Sequence, residues 1–196
     1  MSIQLKDTRG HILSVGRSLT ARHGYSGVGL NVLLKAANVP KGSFYHYFAS
    51  KEAYGCAMLE GFVAQYHTSL CSTLLDLSFN PRERLMLYFE GWLRKQTGTQ
   101  LQDRCLVVKL SAEVADLSVD MSKILQHGVA DIIAILAETI EQGIAKGVIA
   151  PLDDPNGVAH SLYHQWLGAS LIAGLSQENT PLITAMKATK TAVPSP

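Results

Sequence analysis

The sequence has few of the residues that announce chemistry. Its 196 residues hold three cysteines, an odd number at irregular spacing, which makes neither a disulfide framework nor a zinc site. A reducing cytoplasm is the expected setting. The opening Met-Ser-Ile-Gln-Leu-Lys-Asp lacks the apolar run of a signal peptide. No uninterrupted apolar stretch approaches the ~20 residues that cross a bilayer, so no membrane partner is expected. Gly-rich phosphate loops, catalytic signatures and metal motifs are missing, which leaves no resident cofactor or metal to expect. No segment alternates with period two, and the expected fold class is therefore all-α.

Acidic residues are scarce in one place. Residues 1–51 carry Lys6, Arg9, Arg17, Arg22, Lys35, Lys41 and Lys51 against Asp7 alone, although the whole chain has a net charge of only +1. A basic first quarter on an acidic remainder implies an anionic partner for that quarter. What is plentiful is apolar: 47% of residues, with 17% charged, describe a globular chain with a real core.

Periodicity places the helices. Asp7 or Thr8 caps a first helix with Ile12, Val15 and Leu19 on one stripe, ended by Gly24. A short helix follows near 30–37, and Asn38 takes a left-handed turn. Pro40 then opens a third helix, where its missing N–H costs little. Ser50 caps a fourth. Asn80-Pro81, Asp154-Pro155 and Thr180-Pro181 each set a capping side chain before a proline. Helices are thus expected near 51–77, 81–97, 104–115, 119–146, 155–177 and 181–188, with 189–196 as a disordered tail.

The stretch Val39-Pro40-Lys41-Gly42-Ser43-Phe44-Tyr45-His46-Tyr47-Phe48-Ala49-Ser50-Lys51-Glu52 is the most specific in the chain. With the segments ending His23-Gly24-Tyr25 and Lys35-Ala36-Ala37-Asn38-Val39, it resembles the TetR family of transcriptional repressors over Ile12–Tyr54. The resemblance implies a three-helix helix-turn-helix domain over residues 1–50. A larger helical bundle for sensing and dimerisation is implied over 51–188. It also implies a homodimer on a palindromic double-stranded operator, released by a small molecule. In this reading Lys41, Ser43, Tyr45 and His46 face the groove or its phosphates, and Gly42 lets backbone approach DNA. Phe44 and Phe48 pack inward, Tyr47 lies between the two faces, and Lys51 meets phosphate at a helix start. The hydroxyl residue usual at the start of the second helix is replaced by Val28-Gly29, so a backbone N–H near Gly29 is left for that contact.

The segment Arg104-Cys105-Leu106-Val107-Val108-Lys109-Leu110-Ser111-Ala112-Glu113-Val114 resembles the branch of this family that responds to reactive electrophiles. That branch implies sensing of N-ethylmaleimide, quinones, aldehydes or hypochlorite at Cys105, and control of detoxification genes. Arg104 and a helix N-terminus favour its thiolate, Asp103 opposes that effect, and the alternative is a small buried hydrophobe at Cys105. Cys56 and Cys71 lie 15 residues apart on one helix, about 22 Å along its axis, and are expected in the core. A reversible hydrophobic inducer in a pocket of Tyr88, Trp92, Met121, His127, Tyr163, His164 and Trp166 is the alternative within the family. An all-α enzyme with Cys105 and a partner such as His127 is the alternative outside it. Gly168, Leu171, Ile172 and Leu175 are expected at a dimer interface. His160 and His164 have the spacing of a metal pair, but no third ligand is in register.

Overall fold

In the computed structural model, which describes residues 7–98 and 106–196, Asp7 opens the first helix by accepting a hydrogen bond from the Gly10 N–H at 2.9 Å. Three helices follow from the N-terminus: α1 Thr8–His23, α2 Leu30–Ala37 and α3 Lys41–Tyr47. The buried stripe of α1 is Ile12, Gly16 and Thr20 with Ala21. That is a correction to Val15 and Leu19, which are only half-buried. Gly16 draws the stripe around, because the Tyr54 hydroxyl and Leu33 occupy the space a larger side chain would need. Asn38 turns left-handed at φ 52, and Pro40 precedes the first residue of α3, both as the sequence implies. Phe44 is fully buried and Phe48 nearly so. Their rings pack 5.2 Å apart, and Tyr54 lies 5.7 and 5.4 Å from them. Burying Phe44 contributes about 1.5–3 kcal/mol.

Six further helices complete the described residues: α4 Lys51–Leu74, α5 Pro81–Thr97, α6 Leu106–Leu117, α7 Val119–Ala145, α8 Pro155–Ser176 and α9 Thr180–Ala192. No strand occurs among the described residues. Ser50 caps α4 through the Ala53 N–H at 3.0 Å. Asn80 and Glu83 form a reciprocal capping box at α5, and Asp154 caps α8 through the Gly157 N–H at 2.8 Å. Each such cap contributes ~1 kcal/mol. The third joint differs. Asn179, not Thr180, precedes α9 and makes no side-chain cap.

The chain divides into two compact units: the described parts of Met1–Ala64 with Gln100–Gln126, and Gln65–Thr99 with His127–Pro196. The first unit takes in the N-terminal part of α4, α6 and the start of α7 beside α1 to α3. The second has its own core of α5, α8, α9 and the flanking halves of α4 and α7. There Phe89 stacks on Trp166 at 5.2 Å. Indole N–H groups find buried acceptors, Trp92 to Ser170 and Trp166 to Thr189, both at 2.9 Å. Arg84 is buried and donates to the Leu74 carbonyl at the end of α4 (2.6 Å) and to Gln142 (2.9 Å). A cation there meets the negative end of the helix dipole.

The tail is a second correction. α9 runs to Ala192, Val193 is fully buried, and its carbonyl accepts from Arg82 Nε at 2.9 Å. The Pro194 carbonyl accepts from the Ala150 N–H at 3.0 Å. Burial of Val193 outweighs the breaker composition of its neighbours.

Candidate nucleic-acid interface

The outer face of α3 carries the groups that suit an anionic partner. Lys41, Gly42, Tyr45 and His46 are exposed, and Ser43 and Tyr47 are half-buried beside them. Phe44 and Phe48, a turn apart on the other face, hold the helix to α1 and α4. Nothing lies within 4 Å of a Cβ built at Gly42 or at Gly29, so both glycines front open space where another backbone can come close. Gly29 precedes α2 with φ −68 and ψ 152 and makes no side-chain cap. The first-turn N–H groups of α2 therefore lack the hydroxyl that usually serves them.

Two cations are held against rings. Lys41 Nζ stands 5.9 Å from the Tyr45 ring centroid and Lys51 Nζ 4.8 Å from that of Tyr25. Such contacts contribute about 0.5–1 kcal/mol at exposed sites and limit side-chain wandering. The Tyr25 hydroxyl donates to the Lys51 carbonyl at 2.8 Å. Burial first, then Cys56 and Glu52, push the Tyr25 phenol up to about 12, so it stays a donor at neutral pH. Arg9 adds a third cation, its guanidinium 5.5 Å from the Phe48 ring. Sequence reasoning did not single out Tyr25 or Arg9. Their roles depend on contacts with α4 and with Phe48 that no local pattern announces.

The remaining candidate residues are scattered. Cys105 lies outside the described residues. Tyr88, Trp92, Tyr163 and Trp166 are core residues packed on one another in the second unit. Met121 is buried in the first unit near Gly55, and His127 and His164 are exposed. Among the described residues of the second unit, a cavity of about 500 Å³ is lined by residues including Leu152, Asp154, Val158, Gln165 and Ala188.

Cys56 and Cys71 are half-buried, not core. Burial, then Asp120, Glu52 and Glu60, push the Cys56 thiol up. Cys71 Sγ lies 3.6 Å from His67 Nδ1. His160 and His164 are exposed with ring centroids 5.8 Å apart, and among the described residues no three metal-ligating side chains gather. Gly168, Leu171, Ile172 and Leu175 all face outward, Leu175 being 74% exposed. No described helix is long and apolar enough to cross a membrane.

Comparison with known proteins agrees with this geometry. Residues 12–53 match the family described as bacterial regulatory proteins, tetR family, and residues 81–189 match the tetracyclin repressor-like C-terminal domain. The HTH-type transcriptional repressor NemR of Escherichia coli (strain K12) is 42% identical over 190 residues, covering 97% of this chain and 96% of that protein. The HTH-type transcriptional repressor DhaR of Mycobacterium sp. (strain GP1) is 32% identical, covering 89% and 86%. The crystal structure of E. coli NemR in its reduced form superimposes with a TM-score of 0.92, covering 97% of this chain and 99% of that one. The chain thus belongs to the TetR family of transcriptional regulators.

Proposed function

We propose that this protein is a homodimeric, cytoplasmic repressor that leaves a palindromic operator when Cys105 reacts with an electrophile or oxidant. The observation that carries the DNA-binding part is the exposed Lys41-Gly42-Tyr45-His46 face of α3, with Lys51 at the start of α4. Few of these groups read base edges in a bidentate way, so phosphate contacts supply most of the affinity and binding falls steeply with salt. Gly168, Leu171, Ile172 and Leu175 supply the dimer face. Their outward orientation on α8 supports an intermolecular role over packing within the chain.

The sensing part is supported by the position of Cys105 in the sequence immediately before α6 and by the 42% identity to NemR, a repressor crystallised in a reduced form. In the reaction, the Cys105 thiol loses its proton to solvent, and the sulfur adds to an activated alkene such as a quinone or maleimide. A proton from water then saturates the neighbouring carbon. The regulated genes are those of detoxification, and the protein has no catalytic role of its own. A gel shift with DNA from upstream of the gene tests the binding part. A retarded band that weakens from low to high salt supports it, and no shift at any palindrome in that region refutes it.

A further inference from the structure

We propose that Glu113 on α6 is a positioning residue for operator binding: its carboxylate fixes the turn between α1 and α2, from which the DNA-reading helices set out. Glu113 Oε2 accepts a hydrogen bond from the Ser26 N–H at 3.0 Å across 87 residues of sequence. Its Oε1 lies against Gly24, where a Cβ would collide with it. Gly24 has φ 76 and ψ 167, a conformation open to glycine alone. The turn is thus shaped on one side by a residue that cannot carry a side chain, and on the other by a carboxylate that fills that space.

The turn has few other fixings. The Val28 N–H donates to the Tyr25 carbonyl at 3.2 Å, the Tyr25 hydroxyl donates to the Lys51 carbonyl, and Val28 is buried. The start of α2 has no side-chain cap of its own. Glu113 therefore supplies the turn with a fixing from outside the helix-turn-helix. Just past the C-terminus of α6 is a second tie. Ser118 Oγ donates to Glu52 Oε1 at 2.5 Å and accepts from the Met121 N–H at 3.2 Å. Glu52 is the residue after Lys51, in the first turn of α4. The C-terminal half of α6 and the residue after it thus reach both flanks of the proposed reading face, the turn before α2 through Glu113 and the start of α4 through Ser118. This positioning role rests on the reading of α3 as the DNA-binding face.

Three variants separate the hydrogen bond from the charge. Glu113→Gln keeps an acceptor oxygen at the same reach without the charge, Glu113→Asp keeps the charge without the reach, and Glu113→Ala keeps neither. The measurements are fluorescence anisotropy on operator and on unrelated duplex DNA, and hydrogen exchange at the Ser26 amide in the full-length dimer. Losing one charge-assisted bond to a backbone N–H weakens operator binding by about tenfold or more. That loss is expected in Glu113→Ala and Glu113→Asp, with faster exchange at Ser26, while Glu113→Gln keeps a neutral bond and loses only about three- to fivefold. Affinity for unrelated DNA follows charge alone, so Ala and Gln move together there and the operator-to-unrelated ratio isolates positioning. If all three variants keep the wild-type ratio, or if Ser26 exchange is unchanged in Glu113→Ala, Glu113 does not position the turn. If wild type itself binds no operator, the reading of α3 has failed first, and that outcome is distinguishable because Ser26 exchange is read without DNA.

Discussion

Replacing Lys41 with glutamine tests how the proposed interface holds DNA. Lys41 is exposed, opens α3, and is steadied by the Tyr45 ring 5.9 Å from its ammonium. A two-fold dimer loses two phosphate contacts with this single substitution. Each contact contributes about −0.9 to the slope of log K against log salt, so the slope should flatten by about 1.8. If counterion release is the whole of each contact, the variant is weaker by about 30-fold at about 0.15 M salt and about 200-fold at about 0.05 M. The penalty thus shrinks as salt rises, which a specific base contact does not do. Anisotropy titrations on an operator duplex over that salt range measure it directly. Parallel lines for wild type and Lys41→Gln would refute the phosphate role even if affinity dropped. A flattening by half the stated amount would mean that one protomer of the pair engages through Lys41.

Other consequences follow from burial and exposure. Phe44→Ala removes a fully buried ring between α1 and α4 and should cost about 3–5 kcal/mol in urea unfolding, with operator binding lost in parallel. A cost under about 1 kcal/mol would mean that the ring is not core. Leu175→Glu places a charge on a face that the proposed dimer buries, so sedimentation should read a monomer where wild type reads a dimer; a dimer in both cases moves the interface elsewhere. The Cys56 thiol is pushed up by burial and by Asp120, Glu52 and Glu60. A raised thiol stays protonated until higher pH, so maleimide labelling of Cys56 in Cys105→Ser protein should be slow at neutral pH. It should accelerate only on the alkaline side of an ordinary cysteine, read by peptide mass spectrometry. Labelling of Cys56 as fast at pH 7 as a free thiol would contradict that environment.

The parts legible in the sequence were those fixed by neighbours in the chain. Asn80, Asp154, Asn38 and Pro40 act within four residues of themselves, through caps and a left-handed turn, and each sits where the sequence places it. The division of Phe44 and Phe48 from Tyr45 and His46 is likewise a matter of helical period. What failed depended on distant partners. The stripe of α1 is rotated toward Gly16 by Tyr54, thirty-eight residues away in sequence. The C-terminal residues are held by Arg82 and Ala150, which no composition rule could supply. Trp92 and Trp166 satisfy their N–H groups at Ser170 and Thr189, inside the core of the second unit. Periodicity identifies an aromatic as inward-facing and cannot tell filled space from empty. Glu113 is the clearest case: nothing near it in sequence points to Ser26.

The central claim joins binding at Lys41–Lys51 to release at Cys105, and one measurement reads both. Operator-bound wild-type and Cys105→Ser protein are titrated with N-ethylmaleimide while anisotropy follows the labelled DNA. The account predicts that both bind the operator equally at the start, that wild type is released as one adduct per chain forms, and that Cys105→Ser stays bound. Equal release from both proteins, or wild type fully modified at Cys105 and still bound, would contradict it.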